Sequence, residues 1–507
     1  MSAPTKVARH TAFNFLTIAI TSLLGVGVTA LVARMLAPDR MGAYTLLVWG
    51  VGIAGLFANL GYVTATMKYM AEALGREDPS EAAGMLAFSS RQVLACGFAV
   101  SLLLAGIGPW AATALGRPEL ATGLAVGGAS VIPMALLALY TAACQALQRY
   151  DQVAAVTGVT ALASLAGTVL ALTQGGGLAG LLGATGFASA LGVMVYLVLL
   201  SRWRPGWWGA ALPAEQRLAM RRYQGPVFVM LVLDAVVWQR SEVFFLGAYA
   251  PVREVAFYGM AFSLATMAMK LIPGTLVGLL IPSMSRAMGQ GDREGVGRIY
   301  RQSCRYMAML AMPVAVGGTL VAPALVAVLY GAGYEPVAGL LGALLGFNAL
   351  VMVYGFPASS VLYSTDAQRL MVRIGLGVSA LNLLLAGVLI PRYGAWGAVL
   401  ANGLAQLASL YPGIRVAQAQ TGAGVPVRSV LHLLLASLGM GVPVYAVVRA
   451  CPPLLALCLA PVLGMLAFSL ILWLTGAVAP EDRAALRAIA SRVPGLRLIP
   501  RPPVGRG

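Results

Sequence analysis

Runs of about 20 apolar residues recur along the whole of this 507-residue chain, and each is long enough to cross a bilayer as an α-helix. Hydrophobic residues make up 59% of the chain and charged residues only 10%, whereas soluble proteins carry roughly 25% charged residues. These features predict an all-α polytopic membrane protein with about 14 transmembrane helices. The predicted spans lie near residues 12–34, 43–66, 84–112, 120–147, 153–173, 177–201, 225–249, 255–284, 306–330, 337–363, 370–390, 395–415, 428–449 and 454–478.

The distribution of Lys and Arg predicts how these spans are oriented. With the N-terminus in the cytoplasm, about 26 of the 34 Lys and Arg residues fall in cytoplasmic loops and span ends, as the positive-inside rule requires. We therefore expect a multi-pass protein of the cytoplasmic (inner) membrane with both termini cytoplasmic. The charges behind the net +17 lie mainly between the apolar runs, so we expect membrane lipids rather than nucleic acid as partners.

Three short landmarks in the first half of the chain recur in the same order in the second half. They lie at 37–44, 148–152 and 177–180, and their echoes lie at 250–258, 363–368 and 394–397, at offsets of 213 to 217 residues. Internal repeats in a very apolar chain are typical of two-lobed transporters. The repeat maps spans 1–6 onto spans 7–12 and predicts two parallel six-helix lobes around a central cavity.

The repeat also predicts how the chain is divided. The segments are an N-terminal six-helix lobe (1–201), an amphipathic cytoplasmic linker (202–224), a C-terminal six-helix lobe (225–415), two extra helices (416–479) and a basic cytoplasmic tail (480–507). We expect the two lobes to superpose with span 1 on span 7, without inversion.

Four ionisable residues fall deep inside predicted spans: Asp234, Arg240 and Glu242 in span 7, and Lys270 in span 8. Such residues cost about 2.5–3.5 kcal/mol each on insertion scales, so they usually face protein or a wet cavity. Arg240 and Lys270 form a cationic patch suited to an anionic group such as a pyrophosphate. The spacing of Asp234, Trp238 and Glu242 predicts a shared helix face, and the two acids are candidates for proton or cation coupling. The alternative is that Glu242 pairs with Lys270, and Asp234 with a neighbour, only to join helices.

Other polar residues are candidates for lining the cavity. We expect Arg34 at the outer edge and Lys68 at the inner edge to make it predominantly positive, and a lateral gap beside span 1 or span 8 to leave a lipid tail in the bilayer. Deep amides can line a sugar-sized cavity, or they can join helices by hydrogen bonds worth roughly 1 kcal/mol. These amides are Asn14, Asn59, Asn348, Asn382, Asn402 and Gln406, of which Asn59 is the candidate cavity residue.

The sequence contains no motif for enzymatic catalysis. It has no Walker A loop, no G-x-S-x-G turn and no H-E-x-x-H zinc motif. The five cysteines lack C-x-x-C spacing and the two histidines lie far apart, which argues against a metal site. We therefore expect no catalytic residue, no metal and no cofactor, and energy from an ion gradient, the membrane potential or downstream consumption of the product.

Residues 33–44 read ARMLAPDRMGAY and follow the pattern A-R-x-L-G-P-x-x-x-G-x-Y, with Ala37 in place of the first Gly. This pattern resembles the opening motif of the polysaccharide transporter family, the O-antigen-type flippases of the multidrug/oligosaccharidyl-lipid/polysaccharide exporter superfamily. Residues 68–72 (KYMAE), 240–258 and 394–398 (GAWGA) resemble its later motifs. The similarity covers nearly the whole chain.

The resemblance implies two six-helix lobes and alternating access. It implies that the cargo is an undecaprenyl-pyrophosphate-linked oligosaccharide, moved from the inner to the outer leaflet for surface polysaccharide and lipopolysaccharide biosynthesis. Polysaccharide polymerase and ligase machinery would then be partners. The alternative is a cation-coupled multidrug or metabolite exporter of the same superfamily, whose cavity would be negative and aromatic rather than positive.

Overall fold

The computed structural model describes residues 22–114, 116–238, 240–270, 284–288, 290–364 and 368–475. Within these ranges the chain folds into α-helices joined by short connections. The principal helices are α1 Ser22–Met35, α2 Pro38–Asn59, α3 Tyr62–Gly75, α4 Pro79–Ala114, α5 Ala121–Ala146, α6 Tyr150–Thr173, α7 Gly177–Trp203, α8 Ala214–Trp238, α9 Glu242–Tyr249, α10 Val252–Lys270, α11 Arg293–Leu329, α12 Pro336–Ser364, α13 Gln368–Thr421, α14 Val427–Ala450 and α15 Pro453–Leu474.

The all-α polytopic fold predicted from the sequence is confirmed. Ten helices in the described ranges are long and apolar enough to cross a membrane, and every one of the predicted spans overlaps a described helix. The boundaries differ most at two places where the backbone leaves helical geometry inside a predicted span, and a third such break lies between predicted spans 11 and 12. Apolar composition does not indicate the first two breaks, because both sides of each break remain apolar.

The first break divides predicted span 2 into α2 and α3. Leu60 and Gly61 have left-handed backbones, with φ of 44° and 83°, which interrupts the i to i−4 hydrogen bonds of the helix. A Cβ atom on Gly61 would stand 2.9 Å from the carbonyl oxygen of Gln224. The chain therefore turns where α8 crosses it closely.

The second break lies at Arg240, whose φ of 66° separates α8 from α9 inside predicted span 7. The third lies at Gly394, where φ is 53° and ψ is −130° inside α13. Predicted spans 11 and 12 are the two arms of α13 on either side of Gly394. Glu254 Oε2 accepts a hydrogen bond of 2.6 Å from the backbone N–H of Ala395, which caps the second arm.

Buried apolar side chains form two large clusters that follow the order of the chain. One cluster draws its residues from Ala43 to Met220. The other draws most of its residues from Val243 to Leu472, and α14 and α15 join it by packing against α11. Val32, Ala33 and Met41 come from the first half of the chain but are buried in the second cluster, so the end of α1 and the start of α2 lie against the second half.

The connection between α7 and α8 packs against the first half of the chain. Trp207 is only 3% exposed, and its ring lies 5.9 Å from that of Tyr140. Arg91 Nη2 donates a hydrogen bond of 2.7 Å to the carbonyl of Trp208. Of these two tryptophans, Trp207 is buried and Trp208 is exposed.

Candidate functional site

A buried polar cluster surrounds Glu242, the first residue of α9. Glu242 is fully buried, and its carboxylate accepts three hydrogen bonds. Tyr258 Oη of α10 donates to Oε2 at 2.9 Å. The Nδ2 atoms of Asn382 and Asn402, both in α13, donate to Oε1 at 2.8 Å and 3.0 Å. Three elements therefore meet on one carboxylate.

The cluster extends beyond these direct partners. Gln406 Nε2 donates to Asn402 Oδ1 at 2.6 Å, and Ser241 Oγ donates to Asn382 Oδ1 at 3.2 Å. Gln406 is 2% exposed, and its Oε1 has no hydrogen-bond partner among the described residues. A buried acceptor without a donor is costly in a low-dielectric interior, so this oxygen has capacity for a proton donor or a cation.

The turn at Gly394 explains why the two asparagines meet. Asn382 lies in the first arm of α13 and Asn402 in the second, and the break folds the arms past one another. Both asparagines belong to the set of deep amides predicted from the sequence, as does Gln406. Tyr258 was not among the predicted site residues. The only signal in the sequence was its place in a repeated landmark, nearly two turns into α10.

Arg240 occupies the left-handed break just before the cluster. Its Nη1 donates to the carbonyl of Gly259 at 3.3 Å and to Ser263 Oγ at 3.2 Å, and its guanidinium lies 5.5 Å from the ring centre of Phe262. Within the described part of the chain, these contacts leave Nε and Nη2 for a ligand. A Cβ atom on Gly259 would stand 2.7 Å from Thr45 Cγ2 of α2, so Arg240 lies next to the contact between the two halves.

The shared face expected for Asp234 and Glu242 is absent, which corrects the sequence analysis. Asp234 is exposed while Glu242 is fully buried. The i, i+4, i+8 rule applies to a continuous helix, and the break at Arg240 rotates α9 away from α8. Lys270 is the last residue of α10, and its side chain lies outside the described residues.

Arg34 contacts the second half of the chain. Its Nε donates to the carbonyl of Leu329 at 3.1 Å, and its Nη2 donates to the carbonyl of Val328. These are the last carbonyls of α11. The side chain also lines an open cavity of about 580 Å³ between the end of α1 and residues 330–334.

Lys68 and Asn59 lie in the first half, apart from the Glu242 cluster. Lys68 Nζ lies 4.3 Å from the ring centre of Tyr223, 4.9 Å from that of Tyr69 and 3.8 Å from Glu72 Oε1. Asn59 Nδ2 donates to the carbonyl of Gly55 at 3.0 Å, and its buried Oδ1 has no partner within the described ranges. The structure thus joins Arg240 and Glu242 in one region but places Arg34, Lys68 and Asn59 elsewhere.

Two family models match the chain. One, described as "Polysaccharide biosynthesis protein", matches residues 31–339. The other, described as "Lipid II flippase MurJ", matches residues 244–451. A comparison with curated protein sequences gives no match.

Solved structures with the same fold include three transporters. A structure of the lipid II flippase MurJ in an inward closed conformation has a TM-score of 0.73 and 14% identity, and the match covers 91% of this chain and 97% of that one. An inward-facing multidrug resistance MATE family transporter of the MOP superfamily has a TM-score of 0.67 and 16% identity, over 81% and 99% of the two chains. A MOP superfamily transporter from Pyrococcus furiosus, titled as having a binding pocket of reverse polarity, has a TM-score of 0.55 and 14% identity, over 82% and 95%. At these identities the likeness establishes the fold.

Proposed function

This chain belongs to the polysaccharide biosynthesis protein family of the multidrug/oligosaccharidyl-lipid/polysaccharide exporter superfamily, and we propose that it is a flippase for an undecaprenyl-pyrophosphate-linked oligosaccharide. It is a membrane transporter and not an enzyme. The proposed cargo moves from the inner to the outer leaflet of the cytoplasmic membrane by alternating access. The observation that carries the proposal is the position of Arg240, a cation inside the bilayer at the contact between the two halves.

The depth of Arg240 supports this role. Arg240 precedes Tyr249, the last residue of α9, by nine residues, which at 1.5 Å per residue corresponds to roughly 14 Å. The hydrocarbon core is about 30 Å thick, so with Tyr249 at one edge of that core we expect Arg240 near mid-depth. The guanidinium has two nitrogens without a partner among the described residues, and such a group can bind the oxygens of a pyrophosphate in a bidentate manner. Lys270, at the end of α10, would add a second positive charge.

The Glu242 cluster supports ion coupling at a second position. A fully buried carboxylate surrounded by neutral amide and hydroxyl donors can take up a proton or a cation without moving a salt bridge. Arg240 lies two residues before Glu242 in the chain, so a change of charge at Glu242 changes the electrostatic potential at the Arg240 guanidinium. We assign coupling to Glu242 rather than to Asp234, because Asp234 is exposed.

We propose that the Pro38 end of the bundle faces the outside, as the Lys and Arg count predicts. In a cysteine-free background, Glu215→Cys and Glu294→Cys should stay unlabelled by a membrane-impermeant maleimide in intact cells. Asp39→Cys should be labelled, since all three positions are exposed and differ only in their predicted side. Labelling of both Glu215→Cys and Glu294→Cys from outside would overturn this orientation.

Purified protein in proteoliposomes can test the cargo. A polyprenyl-pyrophosphate-linked disaccharide should become accessible to an impermeant glycosidase on the opposite side, whereas the matched polyprenyl-monophosphate disaccharide should move at least about tenfold more slowly, because one phosphate offers fewer oxygens to Arg240. Ethidium, a lipophilic cation, should not be transported. Ion-driven movement of ethidium without movement of either glycolipid would instead identify a multidrug exporter.

A further inference from the structure

The end of α1 and the start of α2 are joined to the second half of the chain by hydrogen bonds that run in both directions. Arg34 donates from Nε and Nη2 to the carbonyls of Leu329 and Val328. In the opposite direction, Tyr334 Oη donates to the carbonyl of Leu36 at 2.9 Å. Nearly 300 residues of sequence separate the partners in each case.

The contacts of Arg34 satisfy a specific need of α11. The last four carbonyls of a helix have no partner within the helix and carry the negative end of its dipole. Arg34 supplies two donors and a positive charge to those carbonyls from another helix. Because Arg34 is exposed, water can replace it when the helices separate, so this contact is reversible.

Glycines bring the backbones close beside Arg34. A Cβ atom on Gly42 of α2 would collide with the backbone carbonyl of Val252, the first residue of α10. Further along the same helix pair, a Cβ atom on Gly259 would stand 2.7 Å from Thr45 Cγ2. The backbones of α2 and α10 therefore touch at Gly42, and at Gly259 the Thr45 methyl group fills the space that a larger residue would need.

We propose that these contacts, here called the Arg34 seam (Arg34, Leu36, Gly42, Val252 and Tyr334), form a reversible lock on the Pro38 end of the bundle, with Arg34 as its latch. The seam closes that end in the present conformation and parts when the transporter opens there. Arg34 then acts on the conformational equilibrium and not as a ligand of the transported molecule. Only the identification of this end as the exit rests on the proposed function.

The seam is connected to Arg240 through Gly259 of α10. Gly259, which touches Thr45, also supplies the carbonyl that Arg240 Nη1 binds. Separation of α2 from α10 therefore changes the surroundings of Arg240. A ligand that draws Arg240 away from Gly259 and Ser263 removes one tie of α10 near the seam, which is a route by which occupancy favours opening.

The opening of the seam can be measured with spin labels at Ala37→Cys and Ala332→Cys in a cysteine-free background. Both positions line the cavity beside Arg34, so the distance distribution between the two labels shows whether the seam is closed or open. Arg34→Ala should raise the long-distance population at least about threefold, and Gly42→Leu should make it dominant. The matched controls are Arg40→Ala, an exposed arginine of α2, and Gly50→Leu, also in α2, where a Cβ would have no neighbour within 4 Å. Both controls should leave the distribution unchanged.

Two results would overturn the lock. One is an unchanged distance distribution in both Arg34→Ala and Tyr334→Phe. The Tyr334→Phe variant removes only the hydroxyl group, so it tests the seam even if Gly42→Leu does not fold. The other is a loss of about tenfold or more in the affinity for undecaprenyl pyrophosphate in Arg34→Ala, which would make Arg34 a ligand. Because the distances are measured without substrate, a shift in them supports the lock even if no glycolipid is transported.

Discussion

Replacing Glu242 with glutamine should reduce ion-coupled transport by about 10- to 100-fold while leaving the protein folded in the membrane. The carboxylate accepts from Tyr258, Asn382 and Asn402, and a hydrogen bond to a charged group contributes roughly 1.5–3 kcal/mol. Glutamine keeps the shape but directs an amide N–H at groups that are already donors. It also removes the one charge that a coupling proton or cation would neutralise.

Glu242→Ala should instead destabilise the fold. It leaves three buried donors without an acceptor, each at about 1–3 kcal/mol, so we expect a loss of about 3 kcal/mol or more in thermal or denaturant unfolding in detergent. The two variants separate coupling from folding. If glutamine destabilised the protein as much as alanine, the carboxylate would be a structural group only.

Asp234→Asn is the matched control, since it neutralises an acid eight residues earlier at an exposed position. Transport driven by a proton gradient or by a sodium gradient should persist in Asp234→Asn and fail in Glu242→Gln, with equal amounts of protein in the liposomes. The reverse pattern would move the coupling role to Asp234.

The sequence was sufficient for the membrane fold because hydrophobic length is a property of each segment alone. Every predicted span has a helical counterpart, and the resemblance of residues 33–44 to a transporter family agrees with the match over residues 31–339. The breaks at Leu60 and Arg240, inside predicted spans 2 and 7, were not predicted, whereas the break at Gly394 falls between predicted spans 11 and 12. Both unpredicted breaks fall on residues that ordinarily continue a helix, and only contacts between distant segments require a left-handed backbone there.

The sequence identified Glu242 and the deep amides as buried polar residues but not how they are arranged. The six deep amides were equivalent in sequence, yet the fold of α13 at Gly394 selects Asn382 and Asn402 as partners of Glu242. Arg34 was expected in the cavity because charge near a span end is visible in sequence. That its partners are the carbonyls of Val328 and Leu329 is not visible, because backbone acceptors have no sequence signature.

Removing the guanidinium of Arg240 should reduce flipping of a pyrophosphate-linked glycolipid by about 10- to 100-fold, the equivalent of one lost charge-assisted pair at roughly 1.5–3 kcal/mol. The role of the break itself needs a second variant, because Arg240 has a left-handed backbone with φ of 66°. A non-glycine residue in that conformation costs roughly 1–2 kcal/mol, and any L-residue at the position shares this cost. Glycine relieves it, so Arg240→Gly loses the cation while favouring the break.

Arg240→Ala and Arg240→Gly should therefore be equally defective in flipping, although the glycine variant should unfold at a higher temperature. Arg240→Lys keeps the charge but not the planar fork, and we expect it to flip the cargo at an intermediate rate with a reduced preference for pyrophosphate over monophosphate. Lys270→Ala should act in the same direction.

Initial flipping rates in proteoliposomes, with insertion checked by fluorescence-detected size exclusion, measure these effects. Normal flipping by Arg240→Gly would show that the break matters and the cation does not, and a pyrophosphate preference unchanged in all three Arg240 variants would place the anion elsewhere in the cavity.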